Sequence, residues 1–460
     1  MQDLVKVLAT LGPSSGEPRV ASAMARAGAA GFRVNMSHGD ASQWDRLLSA
    51  ALRAEESAGR PLALIADLEG PRVRLGAVEP RRVRRGERVR LASTAGAGEL
   101  PIDEPALFDV LEPGDEVLVD DGRIVLEVER VGGGWALARV VEGGVIGPRK
   151  GVAVRGKDIP LPAVTEKDKA ALRHIASRPY SHVMVSYARS PEHVEEVRSL
   201  LGGLGAGGVR VLAKIETPGA VERAGEIARA SDGVVVARGD LGMHYPLEEL
   251  PRVQAGIVEA ARAAYKPVIV ATELLPSMME SPVPARSDVV DVYTAARMGV
   301  DALLLTAEIA VGRHPVEAVR WLSRIAGAAL RGYRPPPPEP SGVEYQLAAG
   351  IVELSEKLGA TLVVYSMTGT FPHRLSAFRP SRPYHVGLPS AEAARAVAPL
   401  WAAAPHLVPA GSYEEGLRAT LESIGEPPGP VVAAAWSRLQ AVYRLEVRLG
   451  RRGGGLEGRG

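Results

Sequence analysis

Eight short apolar runs, each ending in polar or charged residues, constrain this 460-residue chain more than any other feature. They are Leu4–Ala9, Gly31–Val34, Leu62–Ala66, His182–Val185, Val209–Ala213, Gly233–Ala237, Pro267–Ala271 and Ala302–Leu305. A strand with one wet face alternates apolar and polar residues, so uninterrupted runs read as strands buried on both faces, as in parallel sheets. Most lead into helix-like segments. Eight such units predict an α/β fold, a TIM (β/α)8 barrel.

Two features interrupt the series. The gap between the third run and the fourth is far longer than one connecting helix needs, and it reads as an inserted small β-barrel lid, residues 75–155. Within it, Val117-Leu118-Val119, the turn pair Asp121-Gly122, and Ile124, Leu126 and Val128 predict a hairpin. Trp135, Leu137, Arg139 and Val141 predict a further strand. The barrel is then discontinuous, 1–74 and 156–334. Pro335–Pro338 opens a stiff linker over 335–340. A C-terminal α/β domain over 341–448 carries a helix at Tyr345–Leu358 and strands at Thr361–Tyr365, Val431–Ala435 and Val442–Val447, and 449–460 reads as a loose tail.

Composition narrows the chemistry. With no cysteine, a thiol nucleophile, a disulfide scaffold and thiolate-bound metal are excluded, so any metal must sit on oxygen or imidazole. A formal charge of +1 gives no global field for nucleic acid or anionic lipid. The basic stretch Arg81–Arg85 has little aromatic stacking surface around it and reads as a solvated strand face. No apolar run is long enough to span a membrane, and Met1–Lys6 lacks the order of a signal peptide, so a cytoplasmic protein is expected.

In such a barrel the C-terminal strand ends build the active site. Strand one ends at Thr10 and runs into Gly12-Pro13, and strand two ends in Arg33-Val34-Asn35-Met36-Ser37-His38. Strand three ends in Asp67, with Arg72 and Arg74 beyond. Strand five ends in Lys214-Ile215-Glu216, six in Arg238-Gly239-Asp240, seven in Thr272 and eight in Thr306-Ala307-Glu308. One such residue is an ordinary loop charge, but seven ends on one rim form a constellation. Glu216 and Asp240 offer hard oxygen ligands for Mg²⁺ or Mn²⁺. Lys214, two residues before Glu216, faces the same side of an extended strand. Arg33, Arg74 and Arg238 add positive charge, while Asn35, Ser37 and Asp67 offer oxygens for a second cation. Cations facing a metal suit a polyanion, most simply a phosphate.

Val5–Ser15, Arg33–Gly39, Pro162–Asp168, Lys214-Ile215-Glu216, Val236–Gly242 and Lys266–Thr272 resemble, in order, the corresponding segments of pyruvate kinases. The resemblance is close over 4–320 and loose over 340–448. It implies phosphoryl transfer from phosphoenolpyruvate to ADP, with Mg²⁺ or Mn²⁺ on Glu216 and Asp240. Lys214 would face the transferring phosphoryl group and Arg33 the phosphate. Gly239 and Asp240 would give main-chain N–H groups to the substrate carboxylate, and Thr272 would help deliver a proton. Pro13, Asn35, His38 and Lys150 would line the nucleotide, and Asp121 would ride on the lid. Asn35, Ser37, Asp67 and the Leu68 carbonyl match a K⁺ site. A loop at Ser366, Thr368, Gly369 and Thr370 would take a phosphorylated effector, and a homotetramer is expected.

The chain departs from the family pattern at Arg72, where an acidic residue is usual, at Glu273, and at Thr306-Ala307-Glu308-Ile309-Ala310. In an extended segment Arg72 would lie beside Asn35, Ser37 and Asp67 and replace K⁺, making the ion unnecessary. Two other readings need less of the constellation. A metal-dependent barrel lyase or aldolase acting through a pyruvate enolate has no need of Lys214 or a lid, and a non-catalytic binding protein has no need of intact metal carboxylates.

Overall fold

The computed structural model describes residues 4–449 apart from 97, 426, 428 and 438–441. Most of the predicted tail, 450–460, lies outside the described residues.

The eight runs form the strands Lys6–Leu11, Ala29–Asn35, Ala63–Asp67, His182–Val185, Arg210–Ile215, Gly233–Ala237, Val268–Ala271 and Ala302–Leu305. All pair in parallel, and the ring closes where the first strand meets the eighth, Lys6 opposite Ala302. Alternation explains why the runs are apolar throughout. Leu8, Ile65, Met184, Leu212, Val235, Ile269 and Leu304 fill the barrel, while their neighbours Val7, Leu64, Val183, Val211, Val234, Val268 and Leu303 pack under the helices. Strands two and three approach so closely that a Cβ on Gly31 would lie 2.6 Å from that of Ala63.

Helices start where the sequence supplies caps. Asp40 accepts from Gln43 N at 3.0 Å and opens Ala41–Ala58. Thr165 and Asp168 form a reciprocal capping box at the head of Glu166–Ala176. The same Asp168 accepts from Gly70 N at 3.2 Å, which ties the lid's entry to its exit.

The insertion has its own core, built on Leu75, Val89, Leu91, Val117, Leu126 and Val140. It consists of a six-stranded and a two-stranded sheet. Asp121 and Gly122 sit at the hairpin turn with φ of 55° and 80°. In the strand Trp135–Glu142 the inward residues are Ala136, Ala138 and Val140, and the predicted face of Trp135, Leu137 and Val141 is the half-buried one.

Beyond the linker, Val343–Lys357 is a helix, and five strands follow in the order Ala403–Leu407, Tyr384–Leu388, Thr361–Tyr365, Val431–Ser437, Val442–Arg448. The last pairs antiparallel. This unit is fixed to the barrel's N-terminal end: Arg379 pairs with Asp301 at 2.8 Å, both almost fully buried, and Trp401 N donates to the same carboxylate at 3.0 Å.

Candidate active site

At the C-terminal end of the barrel a cavity of about 1100 Å³ opens among Thr10, Arg33, Asn35, Asp67, Lys214, Asp240 and Thr272. Lys214 is its centre. Its Nζ lies 2.9 Å from Ser186 Oγ, 3.2 Å from Glu216 Oε2 and 3.9 Å from Asp67 Oδ1. Burial works against the ammonium, but the carboxylates of Asp67, Glu216 and Asp240 outweigh it and hold the pKa above the ordinary lysine value. Lys214 therefore stays charged. Ser186 in turn donates to the Leu68 carbonyl at 2.7 Å.

Glu216 is wholly buried. Its Oε1 accepts from Tyr187 N at 2.6 Å, and its Oε2 accepts no hydrogen bond among the described residues. Burial pushes its pKa up to about 7 against the pull of Lys214. Asp240 stands in the first turn of the short helix Arg238–His244, and its Oδ1 accepts from Tyr187 OH at 3.2 Å.

Tyr187 is the residue the sequence reading missed. Strand four was the one strand whose end was left unread, and Ser186-Tyr187 sits there. The tyrosine holds φ at 54°, a left-handed conformation that costs a non-glycine residue about 1 kcal/mol or more.

The arginines divide by role. Arg33 donates through Nε to Asp67 Oδ2 at 2.7 Å and through Nη1 to Thr10 Oγ1 at 3.1 Å, at the cavity wall. Arg238, expected among the substrate-facing cations, is instead engaged by the scaffold. It bonds both oxygens of Asp291 at 2.8 Å and the carbonyls of Thr272 and Glu273. Those two residues have φ of 78° and 53°, so Arg238 holds the end of strand seven in a strained shape that presents Thr272 to the cavity. Gly239 lies beneath, where a Cβ would come within 3.1 Å of Thr272 Cγ2. Arg74 bonds Glu69 at 2.9 Å and the Arg149 carbonyl at 3.2 Å at the base of the lid. Glu308 ties strand ends together, accepting from Leu274 N at 2.9 Å and Thr306 N at 2.8 Å.

Arg72 departs from expectation. Its guanidinium does not join Asn35, Ser37 and Asp67. It donates to Asp121 Oδ1 on the lid at 2.8 Å and lies in the field of Asp240. An acidic partner on the lid, not strand alternation, decides where it points. The cation at Ser37 is Lys167, 2.7 Å from the Ser37 carbonyl and 2.5 Å from Glu69. Asn35 accepts from Ser37 N at 3.1 Å. Pro13 and His38 line the cavity, and Lys150 pairs with Asp120 at 2.7 Å. The loop Ser366–Thr370 is at the opposite end of the barrel. There Gly369 N donates to Ser366 Oγ at 3.1 Å, the Thr368 and Thr370 hydroxyls meet at 3.0 Å, and Arg210 holds the Thr368 carbonyl at 2.9 Å.

A charged lysine, two carboxylates and an arginine, converging at a barrel mouth beside a β-lid, define a barrel enzyme built for a polyanionic substrate. Residues 3–319 match the family model described as "Pyruvate kinase, barrel domain". The pyruvate kinase of Aeropyrum pernix is 48% identical, over 97% of this chain and 99% of its own length. That of Pyrobaculum aerophilum is 39% identical, over 97% of each. A crystal structure of pyruvate kinase from Pyrobaculum aerophilum matches with a TM-score of 0.91 at 38% identity, covering 97% of this chain and 100% of that one. The chain belongs to the pyruvate kinase family, and its function is that of a pyruvate kinase.

Proposed function

We propose that the chain moves the phosphoryl group of phosphoenolpyruvate onto ADP, giving pyruvate and ATP. The observation that carries this reading is the convergence of Lys214 and Asp240 on one cavity, with the buried Glu216 carboxylate 3.2 Å from the Lys214 ammonium. The buried Glu216 Oε2 accepts no hydrogen bond among the described residues and meets only the Lys214 ammonium, at 3.2 Å, which leaves it lone pairs for a second cation. Glu216 and Asp240 would hold Mg²⁺ or Mn²⁺, and the hard oxygen donors suit either. When bound, the metal supplies Lewis-acid charge to substrate oxygens. Lys214 stabilises charge on the transferring phosphoryl group, and Arg33, steadied by Asp67, grips the phosphate. Gly239 and Asp240 stand in a helix's first turn, where main-chain N–H groups have no intrahelical partner, and theirs would serve the substrate carboxylate. Thr272 helps deliver the proton to enolpyruvate. Pro13, Asn35, His38 and Lys150 face the nucleotide, and the lid with Asp121 excludes water.

Potassium is not required in this reading, though for a different reason from the one Arg72 first offered. The Asp67 carboxylate is taken by Arg33, the Leu68 carbonyl by Ser186 and the Ser37 carbonyl by Lys167. Activity in tetramethylammonium buffer should change little on adding KCl, and a tenfold activation would overturn this. The Ser366–Thr370 loop is the place for a phosphorylated effector. A sugar bisphosphate suits it poorly, because the nearby Arg374 is already paired with Glu344. Exposed Val283, Val290 and Tyr293 support assembly, for which a homotetramer is the family expectation. A cytoplasmic location agrees with the finding that no helix among the described residues is long and apolar enough to cross a membrane.

The deciding assay is ATP formation from phosphoenolpyruvate and ADP, which also separates this reading from a lyase or a binding protein. Glu216→Gln and Asp240→Ala should each nearly abolish turnover and raise the metal requirement in a folded protein. Normal activity at unchanged metal affinity would refute the assignment.

A further inference from the structure

Three neighbouring strand ends meet at Tyr187. It follows strand four. Its main-chain N–H donates to Glu216 Oε1, past the end of strand five, at 2.6 Å. Its phenol donates to Asp240 Oδ1, past the end of strand six, at 3.2 Å. One residue therefore grips both carboxylates, through two chemically separate groups. The left-handed backbone, φ 54°, is what turns the N–H toward one and the ring toward the other. The residue stands in the turn that follows strand four, and positive φ on a bulky, non-glycine side chain beside two buried carboxylates is a pointer to function.

We propose that Tyr187 is a positioning residue that sets the separation and orientation of Glu216 and Asp240 and so tunes divalent metal binding. This rests on the reading that those two carboxylates hold the metal. Hydrogen bonds to ligating carboxylates fix their orientation, and losing such a partner typically weakens metal binding about 10- to 100-fold. The main-chain half of the grip survives any side chain. Tyr187→Phe therefore removes one interaction only, the bond to Asp240.

The test is Mn²⁺ titration followed by electron paramagnetic resonance, without substrates, on the wild type, Tyr187→Phe, Asp240→Asn and the double variant. Tyr187→Phe should bind Mn²⁺ roughly tenfold more weakly, and raising the Mn²⁺ concentration should recover its turnover. In the Asp240→Asn background the same change should add little, because the phenol then has no carboxylate to hold. Should Tyr187→Phe fold poorly, Tyr187→Gly tolerates the positive φ, keeps the N–H and should show the same loss. Wild-type Mn²⁺ affinity in Tyr187→Phe, or losses that multiply in the double variant, would overturn the role of Tyr187 alone. Unchanged affinity in Asp240→Asn would overturn the metal assignment and this proposal with it.

Discussion

Lys214 is charged, half-buried and already within reach of Ser186, Glu216 and Asp67, so it enters the reaction without having to be reorganised. Its contribution should fall on the transition state more than on binding. Lys214→Met is expected to lower kcat by about 10²–10³ while the KM for phosphoenolpyruvate changes little. Steady-state kinetics check this, and weaker binding at full turnover would contradict it. At this scale the sequence was legible where side-chain type carries the chemistry. Lys214, Glu216 and Asp240 could be read from their spacing and their place at strand ends. Tyr187 could not, because half its role belongs to a main-chain N–H and a φ angle, neither of which is written in residue type. Arg72 and Arg74 went wrong for another reason. Being two residues apart fixes a shared side only on a regular strand, and here Asp121 and Glu69 pull the two guanidinium groups apart.

Among the elements, the barrel strands were the easiest to read, since burial on both faces leaves an uninterrupted apolar run. The lid strand Trp135–Glu142 was harder. Its inward face is lined by Ala136 and Ala138, so the larger and more visible side chains mark the outer side. Two strands also carry histidines that folding keeps neutral. His182 heads the fourth barrel strand, and burial lowers its pKa to about 3, helped by the charge of Arg210. His385 lies 2.9 Å from His406 across neighbouring strands of the C-terminal sheet, and burial followed by that neighbour lowers its pKa to about 4. In the unfolded chain both return to about 6.5. Between the folded and unfolded values the unfolded state binds more protons. Their contribution is thus complete above about pH 6.5 and is lost as pH falls toward 4, by up to about 1.4 kcal/mol per pH unit for the buried His182 and by less for the half-buried His385, which solvent screens. Chemical denaturation from pH 7 to 4 should show this slope, and His385→Gln should make it shallower. An unchanged slope in the variant would rule the pair out as a contributor.

For the whole molecule the decisive contact is between Arg379 and Asp301. Arg379 bonds both oxygens of the carboxylate, at 3.3 and 2.8 Å, and the Gly299 carbonyl at 2.9 Å, while Arg334 holds the Arg379 carbonyl at 2.7 Å. Removing one partner leaves a buried charge uncompensated, so Arg379→Ala should destabilise the protein by about 3–5 kcal/mol. Thermal unfolding would show whether barrel and C-terminal unit then melt separately. A single transition at the wild-type temperature would rule out this role. No sequence signal marked the pair, because its members are 78 residues apart and each looks like an ordinary surface charge. The closed ring also governs how the chain comes into being. Strand one pairs with strand eight, Lys6 opposite Ala302. At ribosomal rates of about 5–20 residues per second, roughly 15–60 s pass between making the two. The lid sheet is complete within residues 88–154 and can be finished long before. The first strand to be synthesised is therefore the last to be enclosed, and through that interval its apolar edge is the part of the newborn chain most in need of shelter from other chains.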